Sequence, residues 1–221
     1  MASEKFWKHM SNKESFSWEL YNRAPIVGIV RGVSMGVMRD IAKAYQRAGL
    51  HTIEITMNTP GAAQMIAMLR KEFQQLNVGA GTVCNIQDYE KAVAARAQFI
   101  VTPIIDEVVI KTAVAQEIPI FPGAYSPTEI YRAWSLGASA VKIFPASQLG
   151  VQYIKDIAAP LNDIKVLPTG GVSLENIKSF FEAGVVGVGM GSSLFNKKLI
   201  QDRDFDGLTE HFIKIKAEIG R

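Results

Sequence analysis

This chain is poor in the residues that build covalent or metal-centred frameworks. It carries one cysteine, Cys84, in 221 residues, so an internal disulfide is excluded and a reducing, cytoplasmic setting is expected. Its three histidines, His9, His51 and His211, are dispersed without metal-ligand spacing, and no metal site is expected. No apolar run reaches transmembrane length. The 24 basic and 21 acidic side chains are scattered and leave a net charge of only +3, with no basic block, so neither a nucleic acid nor a membrane is expected as a partner. No Gly-x-Gly-x-x-Gly follows the first strand-like run, which counts against a dinucleotide fold. There is no linker, low-complexity stretch or break in composition, so residues 1–221 are read as a single domain. The segment Met1 to Asn22 mixes Lys, Glu, Phe and Trp instead of showing a signal-peptide apolar stretch, and it is read as a leading amphipathic helix (1–22).

What the chain does have is apolar bulk, 48% hydrophobic against 20% charged residues, enough for a full core. Short apolar runs alternate with helical periodicity. The runs are Ile26–Val30, Thr52–Thr56, Asn77–Thr82, Phe99–Pro103, Ile118–Gly123, Ala140–Pro145, Lys165–Gly171 and Val185–Gly191. Segments such as Ser34–Ala48, Pro60–Gln75, Ile86–Ala97 and Leu174–Ala183 separate them. Strands apolar on both faces and alternating with helices imply a parallel sheet covered by helices. Eight such units predict an α/β fold of the (β/α)8 TIM-barrel type rather than an open doubly wound sheet.

Lys142 sits where an ammonium is costly, inside Ala140-Val141-Lys142-Ile143-Phe144-Pro145. Burial favours the neutral amine, a nucleophile toward carbonyl carbon of the kind that forms Schiff bases. The alternative is a lysine whose stem packs on apolar surface while its head reaches solvent. Glu54 occupies a similar setting in Thr52-Ile53-Glu54-Ile55-Thr56. Each residue lies five positions past a helix-ending glycine, Gly137 and Gly49, and the offset puts both in one interior layer of a barrel. The same offset in the last unit falls on Gly189, which leaves room beside them. An inert ion pair is the plainer reading, but such pairs stabilise little over apolar packing. A glutamate beside an activated lysine is placed to shuttle protons.

Arg31 ends the first run, where a guanidinium can grip a carboxylate at the C-terminal face of the strands; a surface arginine at a loop start is the alternative. The turns Pro168-Thr169-Gly170-Gly171 and Gly189-Met190-Gly191-Ser192-Ser193 follow the last two runs, the usual anion site of such barrels, and otherwise are plain turn chemistry. Thr82, after Gly79-Ala80-Gly81, brings a hydroxyl to the same face. Pro103, Pro122 and Pro145 close strands, and Cys84 reads as structural.

With these motifs in place, the chain resembles the 2-keto-3-deoxy-6-phosphogluconate (KDPG) aldolases, a family that includes the 4-hydroxy-2-oxoglutarate aldolases. The resemblance runs over roughly residues 24 to 200 and rests on Ile53-Glu54-Ile55-Thr56, Gly79–Val83, Val141–Pro145 and Pro168–Val172, in family order. It implies that Lys142 forms the Schiff base, that Glu54 shuttles protons, and that Thr82 with Arg31 holds the keto-acid carboxylate. Thr169, Gly170, Gly171, Gly191 and Ser192 are implied to hold a phosphate, with Pro103 and Phe144 completing the pocket. It further implies a phosphorylated 2-keto acid substrate, no cofactor and a homotrimer. Where some members carry an arginine after the Glu-x-Thr motif, this chain has Asn58, which leaves the substrate open. Lys142-Ile143-Phe144-Pro145-Ala146-Ser147 and Gln152-Tyr153-Ile154-Lys155 also resemble the phosphogalactonate-cleaving relatives, whereas Pro168-Thr169 favours the phosphogluconate type. Two rival functions share the residues: a phosphosugar isomerase or epimerase using Glu54 as base, and a non-catalytic phosphometabolite sensor.

Overall fold

Apolar residues on both faces of short runs force every strand of this protein into the interior. The computed structural model describes residues 15–220. It contains α1 (Trp18–Arg23), β1 (Ile26–Val30), α2 (Met35–Arg47), β2 (Thr52–Thr56), α3 (Ala62–Glu72), β3 (Asn77–Gly81), α4 (Ile86–Ala94) and β4 (Ile100–Val101). There follow α5 (Glu107–Ala115), β5 (Ile120–Phe121), β6 (Gly123–Ala124), α6 (Pro127–Ser135), β7 (Val141–Ile143) and α7 (Ala146–Ala158). The chain then continues with β8 (Val166–Pro168), α8 (Ile177–Glu182), β9 (Val188–Met190), α9 (Lys197–Gln201) and α10 (Phe205–Ala217).

All pairings are parallel, and they form two sheets: β5-β4-β3-β2-β1-β9 and β6-β7-β8. The eight expected runs thus become nine strands. The fifth run is split because Pro122 has no N–H to give a ladder, although its carbonyl still accepts from Lys142 N at 2.8 Å. Between β8 and β9 stands a single bridge, Thr169 with Gly189. Several strands also end earlier than the apolar runs. Thr82 leaves β3 with φ 54°, and Gly170 and Gly171 leave β8 with φ 86° and 79°. Helix starts follow their capping residues: Asn85 accepts from Asp88 N, Asp106 from Val109 N, and Ser126 with Glu129 forms a reciprocal capping box.

Strand alternation sorts the core into two parts. Ile53, Ile55, Val141 and Ile143 face the helices in the large cluster. Val27, Phe99, Val101, Phe121 and Leu167 point the other way and pack with Phe16 and Tyr21 from the N-terminal segment. The rings of Phe16 and Phe99 meet edge to face at 5.4 Å. Buried Asn77 and Gln98 tie this segment down. Asn77 accepts from Ser17 N at 2.8 Å and donates to Ser17 O at 2.9 Å, and Gln98 donates to Ser15 O at 2.7 Å.

The expected leading helix over 1–22 lies largely outside the described residues. Within them, residues 15–17 are not helical: their backbone groups are committed to Asn77 and Gln98, and Ser17 caps a new helix by accepting from Leu20 N. Asn77→Ala removes three bonds, two to Ser17 and one from Nδ2 to Thr52 Oγ1 at 3.2 Å, and leaves Ser17 with unmatched polar groups. It is expected to lower the unfolding free energy by about 3 kcal/mol, read as a lower urea midpoint at unchanged slope.

Candidate functional site

Glu54 and Lys142 come from different sheets and meet beside one cavity of about 890 Å³. Alternation along β2 turns Glu54 away from Ile53 and Ile55, and along β7 it turns Lys142 away from Val141 and Ile143. Both are buried, at 1% and 6% exposure. Glu54 has room because Gly81 lies opposite, where any Cβ would collide with its Oε1. Among the described residues no ion pair within 4 Å joins the two groups, and Glu54 Oε2 has no hydrogen-bond partner. An unpartnered buried carboxylate oxygen costs about 1–3 kcal/mol, so it is kept at the expense of stability. Lys142 Nζ stands 4.9 Å from the centre of the Phe144 ring.

Desolvation dominates both titrations. It pushes the Glu54 carboxyl up to about 7, against the opposing pull of Lys142 and Arg31. The same effect draws the Lys142 ammonium down, with Glu54 opposing and Arg31 reinforcing. Each group is moved toward its neutral form, the form in which the amine is a nucleophile and the carboxyl can exchange protons near neutral pH.

Every residue assigned to the site from the sequence lines this cavity. Arg31, the first residue past β1, is exposed at its wall, close enough to influence Glu54 and Lys142. Thr82 joins from the end of β3 in a left-handed backbone conformation, uncommon for a β-branched residue and held by its surroundings. Pro103 and the exposed ring of Phe144 complete this side.

At the other end lie Thr169, Gly170, Gly171, Gly191 and Ser192. Space expected at Gly189 is not free: the Thr169 side chain fills it, and a Cβ on Gly189 would collide with Thr169 Oγ1. The two glycine turns are braced. Asn176 Nδ2 donates to Gly171 O at 2.8 Å, Ser193 Oγ donates to Val172 O at 2.5 Å, and His211 Nε2 lies 2.8 Å from Ser193 O. The amides of Gly171, Ser192 and Ser193 donate to no protein acceptor among the described residues, whereas that of Gly170 faces Gly189 O in the bridge between β8 and β9. Three such N–H groups in two adjoining turns suit an anion.

The cavity also takes in residues the motifs did not point to, including Val33, Val37, Phe195, Lys197 and Arg203. Lys197 and Arg203 belong to the helical segment after the last glycine turn, and nothing in their spacing sets them apart from solvated cations. Arg203 is paired with Asp40 at 3.3 Å. Asn58 is exposed and off the cavity wall, as is half-buried Cys84. Among the described residues no group of three or more metal-ligating side chains occurs.

Comparison with known proteins places this geometry. Residues 19–211 match the family model for KDPG and KHG aldolase. The chain is 36% identical over 175 residues to the 2-dehydro-3-deoxy-6-phosphogalactonate aldolase of Escherichia coli K12, covering 78% of this chain and 85% of that protein. It is 33% identical over 193 residues to the 2-dehydro-3-deoxy-phosphogluconate aldolase of Treponema pallidum, covering 87% and 92%. The KDPG aldolase from Legionella pneumophila, solved with pyruvate captured as a covalent carbinolamine intermediate, superposes with a TM-score of 0.82 at 25% identity over 93% of this chain and 98% of that one. A match spanning most of the chain, joined to these relatives, makes it a member of the KDPG and KHG aldolase family and a carbon–carbon lyase.

Proposed function

We propose that this protein is a class I aldolase that cleaves 2-keto-3-deoxy-6-phosphogluconate to pyruvate and glyceraldehyde 3-phosphate, and 4-hydroxy-2-oxoglutarate to pyruvate and glyoxylate. The observation that carries the reading is the desolvated Lys142 amine beside unpartnered Glu54 in a cavity open to substrate. The phosphogalactonate substrate is the alternative favoured by the Escherichia coli relative. A phosphosugar isomerase or epimerase ranks lower, because it has no use for a nucleophilic amine.

In this mechanism neutral Lys142 Nζ attacks the C2 ketone to form a carbinolamine, as the Legionella relative does with pyruvate. Glu54 relays protons until water leaves and an iminium forms. Glu54 then takes the C4 hydroxyl proton, the C3–C4 bond breaks, and its electron pair moves into the iminium to give an enamine while the aldehyde departs. Protonation at C3 and hydrolysis release pyruvate and regenerate the amine. Arg31 and Thr82 orient the carboxylate, and the free amides of the glycine turns, with Thr169, receive the phosphate. No cofactor enters, since the iminium is the electron sink.

Two further features belong to the proposal. The sheets are read together as one closed (β/α)8 barrel domain, supported by the Thr169–Gly189 bridge and by continuity of the chain through Pro122. A homotrimer in the cytoplasm is favoured by exposed Ile104, Val108, Tyr125 and Tyr131 around α5 and α6 and by the single cysteine. No described helix is long and apolar enough to cross a membrane.

Borohydride reduction with pyruvate is expected to fix a pyruvyl-derived mass on Lys142, located by peptide mass spectrometry; a folded protein that binds pyruvate without an adduct refutes class I chemistry. Lys142→Ala is expected to lower kcat by more than about 10³-fold in a coupled pyruvate assay. Glu54 accepts protons only when ionised, so kcat/KM should fall as pH drops below about 7. Glu54→Gln should cost about 10²-fold or more in kcat and erase that acid limb, leaving only the limb set by Lys142.

A further inference from the structure

The loop carrying Arg31 is held by Val33 and Met35, which pack against the core, but has few polar anchors. Gly32 follows with φ 68°, Ser34 caps α2 without a side-chain bond, and Gly32 and Ser34 are exposed. Beside it a second cavity of about 420 Å³ lies between residues 32–35 and Pro60, Gly61 and Met65. One polar contact crosses the gap. Gly32 N donates to Thr59 Oγ1 at 3.1 Å, and Thr59 Oγ1 lies 3.0 Å from Thr56 Oγ1. Both threonines are buried, at 3% and 0% exposure. Thr59 is itself fixed to β2 by its N–H to Thr56 O at 2.8 Å, and Met57, two residues earlier in that turn, is fixed to β3 through its N–H to Gly81 O at 2.7 Å.

We propose that Thr59 is a positioning residue for Arg31: its buried hydroxyl latches the β1 loop to the end of the Glu54 strand and thereby sets affinity for the substrate carboxylate. The peptide N–H that Thr59 holds is the one immediately after Arg31, so the latch acts one bond from the arginine's own carbonyl. The loop after β2 therefore serves the site through a hydroxyl. Asn58, next to it, is exposed and brings no cation to the cavity. Because the hydroxyl accepts from a backbone amide, serine preserves the latch, whereas isosteric valine leaves Gly32 N and Thr56 Oγ1 without their partner.

This inference rests on the aldolase reading, and the test separates the two. Pyruvate is titrated in borohydride trapping for the wild-type protein, Thr59→Val, Thr59→Ser, Arg31→Met and the Thr59→Val, Arg31→Met double variant. Amide exchange at Gly32 is followed in parallel, and Thr59→Ala repeats the comparison without new atoms should valine impair folding. The expected result is that Thr59→Val raises half-saturating pyruvate about tenfold, leaves the limiting trapping rate within about twofold, and speeds Gly32 exchange. Serine should behave as wild type, and in the Arg31→Met background valine should add less than about twofold, because the latch acts through the arginine. Faster Gly32 exchange with unchanged half-saturation overturns the proposal, as does an equal effect of valine with and without Arg31. No adduct in the wild-type protein refutes the aldolase reading itself and the latch's role with it. An adduct in the wild type with a silent Thr59→Val removes the latch alone.

Discussion

Burial of a carboxylate and an amine beside one cavity is the constraint around which the rest of this protein is arranged. Removing Glu54 and Lys142 from water drives both toward neutrality, and their mutual attraction offsets only part of that cost. The groups stay too far apart for an ion pair, and one carboxylate oxygen has no partner. Apolar packing at these two positions would be more stable. Such a costly arrangement suits the Schiff-base chemistry proposed for it, and the chain belongs to the KDPG and KHG aldolase family.

The fold bears this cost by placing order elsewhere. Helices pack one face of the strands in a continuous core, while the opposite face is closed by Phe16, Tyr21, Phe99 and Phe121, clamped through Asn77 and Gln98. The end of the strands left open is where backbone irregularity gathers. Thr82 is left-handed, Gly170 and Gly171 have positive φ, and the backbone of the Arg31 loop donates to the Thr59 hydroxyl. Irregular backbone exposes N–H groups and aims side chains, and a regular ladder would have consumed those amides.

Charge follows the same division. The surface ion pairs, such as Arg39 with Glu72 and Lys198 with Asp202, are exposed and contribute little to stability. Around the cavity the arrangement is different: Arg31 and Lys197 line it beside a single wall acid, Glu54, while Arg203 is held by Asp40 and burial draws Lys142 toward its neutral form. Cations without an exposed acid beside them favour anionic ligands.

Much of the site was legible in the sequence, because an ionisable residue in an apolar strand run stands out against its neighbours. Lys142 and Glu54 did so, and glycine pairs after strand runs marked the turns at the other end of the cavity. Strand positions were legible for the same reason, with β1 and β2 reproducing the apolar runs residue for residue. What the sequence could not determine depends on atoms far apart in the chain. Pro122 divides a strand only because its missing N–H faces a neighbour; Thr169 fills the space over Gly189 twenty residues away; Thr59 reaches Gly32 across 27 positions. Lys197 and Arg203 carry no local signal of a site, and they line the cavity only because the segment after β9 runs beside it. Local pattern decides which residues are buried, since burial follows from polarity and period. Only the tertiary structure decides which buried groups meet, and at what distance.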